Sequence, residues 1–283
     1  LGIGNPDLPP SEYVVNELCK AAARSDIHGY QPCTGIPELT QAYSSWYSRM
    51  YGVELSTSEI LPLGGSKEGI VQVSLAFLNP GDGVLIPNPG HLSYTSVSKL
   101  MNVNVIPYDL IESDNWHPDF EALEKMDLSN VKLMWVNYPN MPTGGNASIE
   151  LFEKLVAFGK KHSILICHDN SYSFILNDKP LSILQVDGAK DVCIELNSMS
   201  NSHNMAGWRM GVLVSNEQFV KWIVRVKSNT DCGQFKPLQM ATIKALDTPK
   251  QWHDNMNLLY EQRRIWAYKI MSIMGCTYST NQA

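Results

Sequence analysis

Residues 198–211 read SMSNSHNMAGWRMG. The apolar run at residues 192–196 leads into this stretch, and a second run, residues 210–214, leaves it. Two short apolar runs joined by small and polar residues predict two strands joined by a turn. The turn carries hydroxyls at Ser198 and Ser200 and a guanidinium at Arg209, near Gly207. Hydroxyls and an arginine fork make charge-assisted hydrogen bonds to phosphate oxygens, so this turn can hold an anion.

Working upstream, residues 60–63, 84–87, 103–108, 131–136 and 164–167 also read as strands, with helical segments between them. Strand–helix alternation from residue 60 to 214 predicts an α/β fold, three layers with helices on both faces of a mostly parallel sheet. The strand at 60–63 runs into Gly64-Gly65-Ser66-Lys67 and a helix. Backbone N–H groups at such a helix start favour an anion, although a tight turn alone would also explain the glycines. After the strand at 164–167 come Asp169 and Tyr172, at a strand's carboxyl end, where ligands of open α/β sheets lie. Ser11 is placed to cap a helix running to about residue 24, and residues 116–123 are expected to open another. Helices are also expected at 149–161, 216–226, 238–246 and about 252–274, and residues 276–278 look strand-like.

The chain has 283 residues, 44% hydrophobic and 18% charged, with a formal net charge of −6. That is an ordinary globular mix. No basic run interleaved with aromatics appears, so no nucleic-acid partner is expected. No apolar run reaches membrane-spanning length and no signal peptide is visible, which points to the cytoplasm. The first residue is Leu1, so a lost leader stays open. Both ends read as cut. Six scattered cysteines without CxxC pairs read as free thiols, and no metal site is expected.

The stretch at 198–211 resembles the lysine segment of the class I and II aminotransferases, the fold type I enzymes that use pyridoxal 5'-phosphate. The family pattern is Ser-x-Ser-Lys-x-x-x-Met-x-Gly-x-Arg. Ser198, Ser200, Met205, Gly207 and Arg209 match it, and Asn201 stands where the cofactor-bearing lysine would be. The segments Asp169-x-x-Tyr172, Pro142-Thr143-Gly144 and Tyr30-x-Pro32-x-x-Gly35-x-Pro37-Glu38-Leu39 are similar to family motifs too, and all lie in family order.

The resemblance implies roles for individual residues. Asp169 would pair with the protonated pyridine nitrogen and Tyr172 with the phenolic oxygen. Ser198, Arg209, Gly65, Ser66 and Lys67 would hold the phosphate, Lys67 through its backbone N–H. Tyr30 would reach the phosphate of a neighbouring subunit, or be an ordinary buried tyrosine. His91 replaces the aromatic residue that stacks on the ring, and would either stack or be solvated. Met141 replaces an asparagine at the phenolic oxygen, with Asn140 one residue away as its substitute. Gly4 would lie beside the substrate carboxylate, or be a turn glycine.

The resemblance further implies a seven-stranded large domain over residues 1–246, with a small domain begun at 247–283 and mostly missing. It also implies a homodimer, and an amino acid and a 2-oxo acid as substrates. Arg263 and Arg264 do not match the family's substrate-carboxylate arginine. An asparagine amide is neither a useful nucleophile nor a base near neutral pH. Three readings follow: an aminotransferase by descent that is impaired at Asn201, a non-catalytic protein that holds the cofactor without a covalent bond, and a remnant that binds none.

Overall fold

The computed structural model describes residues 4–280. Residues 1–3 and 281–283, at the two ends that read as cut, lie outside the described part. The elements are α1 (Glu12–Ala22), α2 (Pro37–Tyr51), β1 (Ile60–Leu63), α3 (Ser66–Phe77), β2 (Gly83–Asn88), α4 (Leu92–Leu100), β3 (Asn104–Ile111), β4 (His117–Pro118) and α5 (Phe120–Glu124). They continue with β5 (Val131–Asn137), α6 (Ile149–His162), β6 (Leu165–Asp169), β7 (Cys193–Ser198), α7 (Met199–Ser202), β8 (Gly211–Val214), α8 (Glu217–Lys227), α9 (Lys236–Leu246) and α10 (Lys250–Ile273).

The strands form an eight-stranded sheet in the order β1-β8-β7-β6-β5-β2-β3-β4. β2, β3, β5, β6 and β7 are mutually parallel, while β8 runs antiparallel to both β7 and β1. Alternate residues of the central strands serve opposite cores. Met134 and Val136 pack with Leu39, Tyr43, Leu151 and Phe152 of α2 and α6. Leu133 and Trp135 pack with Ile70, Val73, Val97 and Ile223 of α3, α4 and α8. Burial on both faces is why these strands read as continuous apolar runs. Gly69 lets α3 lie close to the sheet, because a Cβ there would meet Leu196 and Leu63 side chains at 2.7 Å.

The fold class is as the sequence predicts, a three-layer α/β/α arrangement on a mostly parallel sheet. Beyond the seven expected strands, β4 adds an eighth of two residues at the sheet edge, antiparallel to β3. It also overturns the helix expected to open at residue 116. Asn115 and Trp116 have φ of 54° and 62°, and the helix starts only at Phe120, capped by Asp119. Pro118 disfavours helical backbone at the residue before it. Ser11 precedes α1 as expected but makes no side-chain cap bond, and α1 ends at Ala22. Residues 276–278 form no strand. All six cysteines are free thiols. Among the described residues, no helix is long and apolar enough to cross a membrane.

α10 docks by its first half only. His253 and Met256 are buried, and Asn257 bonds the Phe174 carbonyl and the Leu176 N–H, whereas Ile265, Trp266, Ile270 and Ile273 are exposed. Arg263 makes a bidentate pair with Asp7 at 2.8 and 2.9 Å, tying the entry segment to this helix.

Candidate active site

The parallel strands all end on one edge of the sheet, and the turns that follow them enclose a cleft of about 170 Å³. Its lining includes Ser66, Lys67, His91, Asn137, Asp169, Ser171, Tyr172, Ser198, Ser200, Asn201 and Arg209. Larger grooves lie elsewhere, one of about 720 Å³ beside α8. That groove is mainly apolar surface, so the smaller cleft, where polar groups converge, is the better candidate for chemistry.

One end of the cleft is built for an anion. Leu63 ends β1, Gly65 turns the chain with φ of 87°, and α3 begins at Ser66. The first N–H groups of a helix have no partner within it and point outward. Across from them, Ser198 ends β7 and caps α7, accepting from the Ser200 N–H at 3.2 Å and lying 2.9 Å from the Ser200 hydroxyl. Arg209 comes from the turn before β8. Its backbone is left-handed, φ 55°, an uncommon state for a residue with a side chain. Two hydrogen bonds fix its guanidinium, to the Ala206 carbonyl at 2.8 Å and the Gly64 carbonyl at 3.1 Å. The guanidinium lies directly on Gly65, where any Cβ would meet Nη2 at 2.3 Å. Hydroxyls, helix N–H groups and a guanidinium thus face one small space, a donor set that suits a phosphate ester.

The other end carries a fixed carboxylate. Asp169 closes β6 at 6% exposure. Tyr94 donates to Oδ2 at 2.9 Å, and Ser171 donates to Oδ1. Ser171 also lies 3.1 Å from the Ser66 hydroxyl, linking the two ends. Burial, reinforced by the Asp169 carboxylate, pushes the Tyr94 phenol well above its ordinary pKa, so it stays a donor. A doubly bonded carboxylate at the floor of a cleft can accept from a protonated ring nitrogen. Burial, with Asp169 adding to it, raises Tyr172, and the Asn201 side chain opposes the shift. The Tyr172 hydroxyl donates to Met141 Sδ at 3.2 Å.

Of the residues singled out in the sequence, the structure gathers Ser66, Lys67, His91, Asp169, Tyr172, Ser198, Asn201 and Arg209 around the cleft, with Gly65 beneath Arg209. It does not bring Asn140 there. Asn140 is buried and turned into its own loop, accepting from the Thr143 hydroxyl at 2.8 Å. Asn137 lines the cleft instead, bonding the Asp169 carbonyl at 2.7 Å and the Met141 N–H at 2.8 Å. Tyr30 is 93% exposed and away from the cleft, so the ordinary buried tyrosine is excluded. Gly4 is exposed, with nothing near the position of a Cβ.

His91 lines the cleft and also caps α4, its Nδ1 accepting from the Ser93 N–H at 3.2 Å. Burial lowers its pKa, Lys67 adds to the shift and Asp169 opposes it, which matches a neutral ring acting as acceptor. Ser200, read in the sequence as one of the turn's anion-holding hydroxyls, lines the cleft as well, and Tyr94, Asn137 and Ser171 complete the site without having been singled out as ligands. Ser171 stands two residues from Asp169 and Asn137 ends a strand, so position marked both; nothing local marked Tyr94.

The description "Aminotransferase class I and II" matches residues 1–283. The chain is 42% identical over 265 residues to an LL-diaminopimelate aminotransferase of Dehalococcoides mccartyi, covering 93% of this chain and 68% of that protein. It is 39% identical to the enzyme of the same name from Aquifex aeolicus, covering 93% and 69%. Among solved structures, substrate-bound BacF from Bacillus subtilis superposes with a TM-score of 0.89 at 37% identity, covering 93% of this chain and 67% of that one. A probable N-succinyldiaminopimelate aminotransferase from Thermus thermophilus gives 0.91 at 30% identity, covering 96% and 74%. An anion cradle and a buried carboxylate at opposite ends of one cleft agree with these likenesses, and the chain belongs to the class I and II aminotransferases, enzymes that depend on pyridoxal 5'-phosphate.

Proposed function

We propose that this chain holds pyridoxal or pyridoxamine phosphate in the cleft without a covalent bond, and that its transfer of an amino group from an amino acid to a 2-oxo acid is impaired at position 201. The observation that carries the reading is Asn201 itself: an amide lines the cleft between Tyr172 and the Ser198 turn, where the family pattern has a lysine. When bound, the cofactor supplies an electron-withdrawing ring and the group that carries nitrogen between substrates. Asp169 would accept from its ring nitrogen, oriented by Tyr94 and Ser171. Tyr172, with Asn137 beside it, would face the phenolic oxygen. Gly65, Ser66 and Lys67 would offer α3's start to the phosphate, opposite Ser198, Ser200 and Arg209. His91 borders the ring space and supports the stacking role. Asn201 can donate and accept hydrogen bonds there, but near neutral pH it neither attacks a carbon nor takes a proton from one.

Arg209→Ala tests the cradle. The charge-assisted pair it removes is worth on the order of 1.5–3 kcal/mol. Calorimetric titration with pyridoxamine phosphate should show that loss, and equal affinity in both proteins would take Arg209 out of the site. The remnant reading, with no cofactor at all, is disfavoured by the assembled donors.

We also propose a homodimer in the cytoplasm. Tyr30 supports it: an aromatic ring left 93% exposed on a loop is free to reach a second copy's phosphate. Sedimentation should find a dimer, with Tyr30→Ala weakening cofactor binding. A monomer that binds with unchanged affinity would end this role for Tyr30. The names of the curated relatives support a diamino dicarboxylic acid as the amino donor for which the site was built. Residues 247–280, with α10 docked by its first half, fit the start of a second domain.

A further inference from the structure

Behind the anion cradle lies a charged cluster that takes no part in lining the cleft. Lys227 ends α8 with its side chain 0% exposed. Its Nζ meets two carboxylates, Glu68 Oε1 at 2.6 Å and Asp231 Oδ2 in a shorter contact. Burial alone would push the ammonium's pKa down; hydrogen bonds to Asp231 and Glu68 outweigh it and hold the group above its ordinary value. A buried lysine shared by two acids is costly to desolvate, so the pairing is weak evidence of net stability.

Both carboxylates lead to residues 63–65. Glu68 sits in the first turn of α3, and its Oε2 accepts the Gly64 N–H in a short contact. The carbonyl of the same Gly64 accepts Arg209 Nη2. Asp231 Oδ1 accepts the Gly233 N–H at 2.8 Å, and the next residue, Gln234, donates to the Leu63 carbonyl at 2.5 Å. Gln72 Nε2 joins the cluster to Thr230 at 2.9 Å. Glu68 therefore places a negative charge at the helix start that faces the anion site. Its pairing with Lys227 offsets that charge, which would otherwise oppose a bound anion.

We infer that Lys227 is a positioning residue for the phosphate end of the cleft: through Glu68 and Gly64 it holds Arg209 in place and neutralises the carboxylate behind the cradle. The inference rests on the phosphate reading of the cradle given above. It deepens that reading by naming a residue that touches neither cofactor nor substrate.

The test compares two ligands that differ only in the phosphate, pyridoxamine 5'-phosphate and pyridoxamine, by calorimetric titration of the folded protein. The parent should prefer the phosphate ester. Lys227→Met should lose about tenfold or more of that preference, ~1.4 kcal/mol, with affinity for pyridoxamine unchanged. Adding Glu68→Gln to Lys227→Met removes the stranded charge at the start of α3, leaving only that of Asp231, and should restore most of the preference. A loss shared equally by both ligands would mark a merely structural lysine and overturn the inference. A preference that survives Lys227→Met intact would overturn it as well. A parent with no preference would instead sink the phosphate reading, and the inference with it. Where Lys227→Met does not fold, Glu68→Ala against Glu68→Gln reads the same relay. The glutamine keeps an acceptor for the Gly64 N–H and should keep the preference; the alanine should lose it, and equal preference in both overturns the relay.

Discussion

Acidification from about pH 7.5 to about pH 5 should cost the protein roughly 2 kcal/mol of stability through His253 alone. His253 is buried near the start of α10, stacked on Phe174 at 5.6 Å and edge-on to His203 at 4.9 Å, with no partner at Nδ1. Burial drives its pKa from 6.5 to about 4; Asp254 opposes the shift and Lys250 adds to it. Between those values the unfolded chain binds the proton and the folded chain does not. Stability is therefore complete above about pH 6.5 and drains away as pH falls towards about 4. His203 acts in the same sense, lowered by burial and by His253 beside it.

The acid-labile contact is where α10 meets α7, two residues from Asn201. His253→Phe keeps a ring against Phe174 and removes the titration. Its thermal midpoint should vary less between about pH 7.5 and 5 than the parent's, and should exceed the parent's at the acid end. Parallel pH profiles for the two proteins would show that His253 does not carry the effect.

The sheet was legible because its strands are buried on both faces. The run at 164–167 is apolar throughout and that at 131–136 is broken only by the exposed Lys132, and turns separate such runs. The ends of those strands gave Asp169 and Ser198 directly, since one strand's end fixes both the motif and its place. Part of what failed depends on partners far away in sequence, and part on local bonds that only the backbone's path decides. Tyr94 reaches Asp169 across 75 residues, and nothing near it announces the bond. Asn140 looked like the substitute for a ligand at position 141, but Thr143 and the close loop take its carbonyl, leaving Asn137 to face the cleft. His91 shows a different limit: the ring expected to stack is also the cap of α4, a local bond that only the backbone's path reveals. Ser11 is the converse, a good capping residue whose backbone enters the helix without using the side chain.

Asn201→Lys should give a protein that forms a borohydride-reducible bond to pyridoxal phosphate at position 201, where the parent is expected to form none. The surroundings for it are in place. Asn201 lies in the short α7, with Ser198 and Arg209 on the phosphate side and Asp169 and Tyr172 on the ring side. A lysine amine set between a guanidinium and a partly desolvated cleft has its charged form disfavoured, so a larger share stands unprotonated and nucleophilic. The parent, treated in the same way, should yield no cofactor adduct at Asn201, and Lys67 should not replace it. Lys67, exposed in the first turn of α3, is proposed to serve the phosphate through its backbone N–H and not to bond the cofactor. Covalent capture does not require turnover. His91 in place of a larger aromatic ring, and Met141 against Tyr172, leave the ring less firmly held, so transamination by the variant should stay slow. Peptide mass spectrometry after reduction reads the outcome. An adduct on Lys67 of the parent, or a folded Asn201→Lys variant with none at position 201, would overturn this account of the cleft.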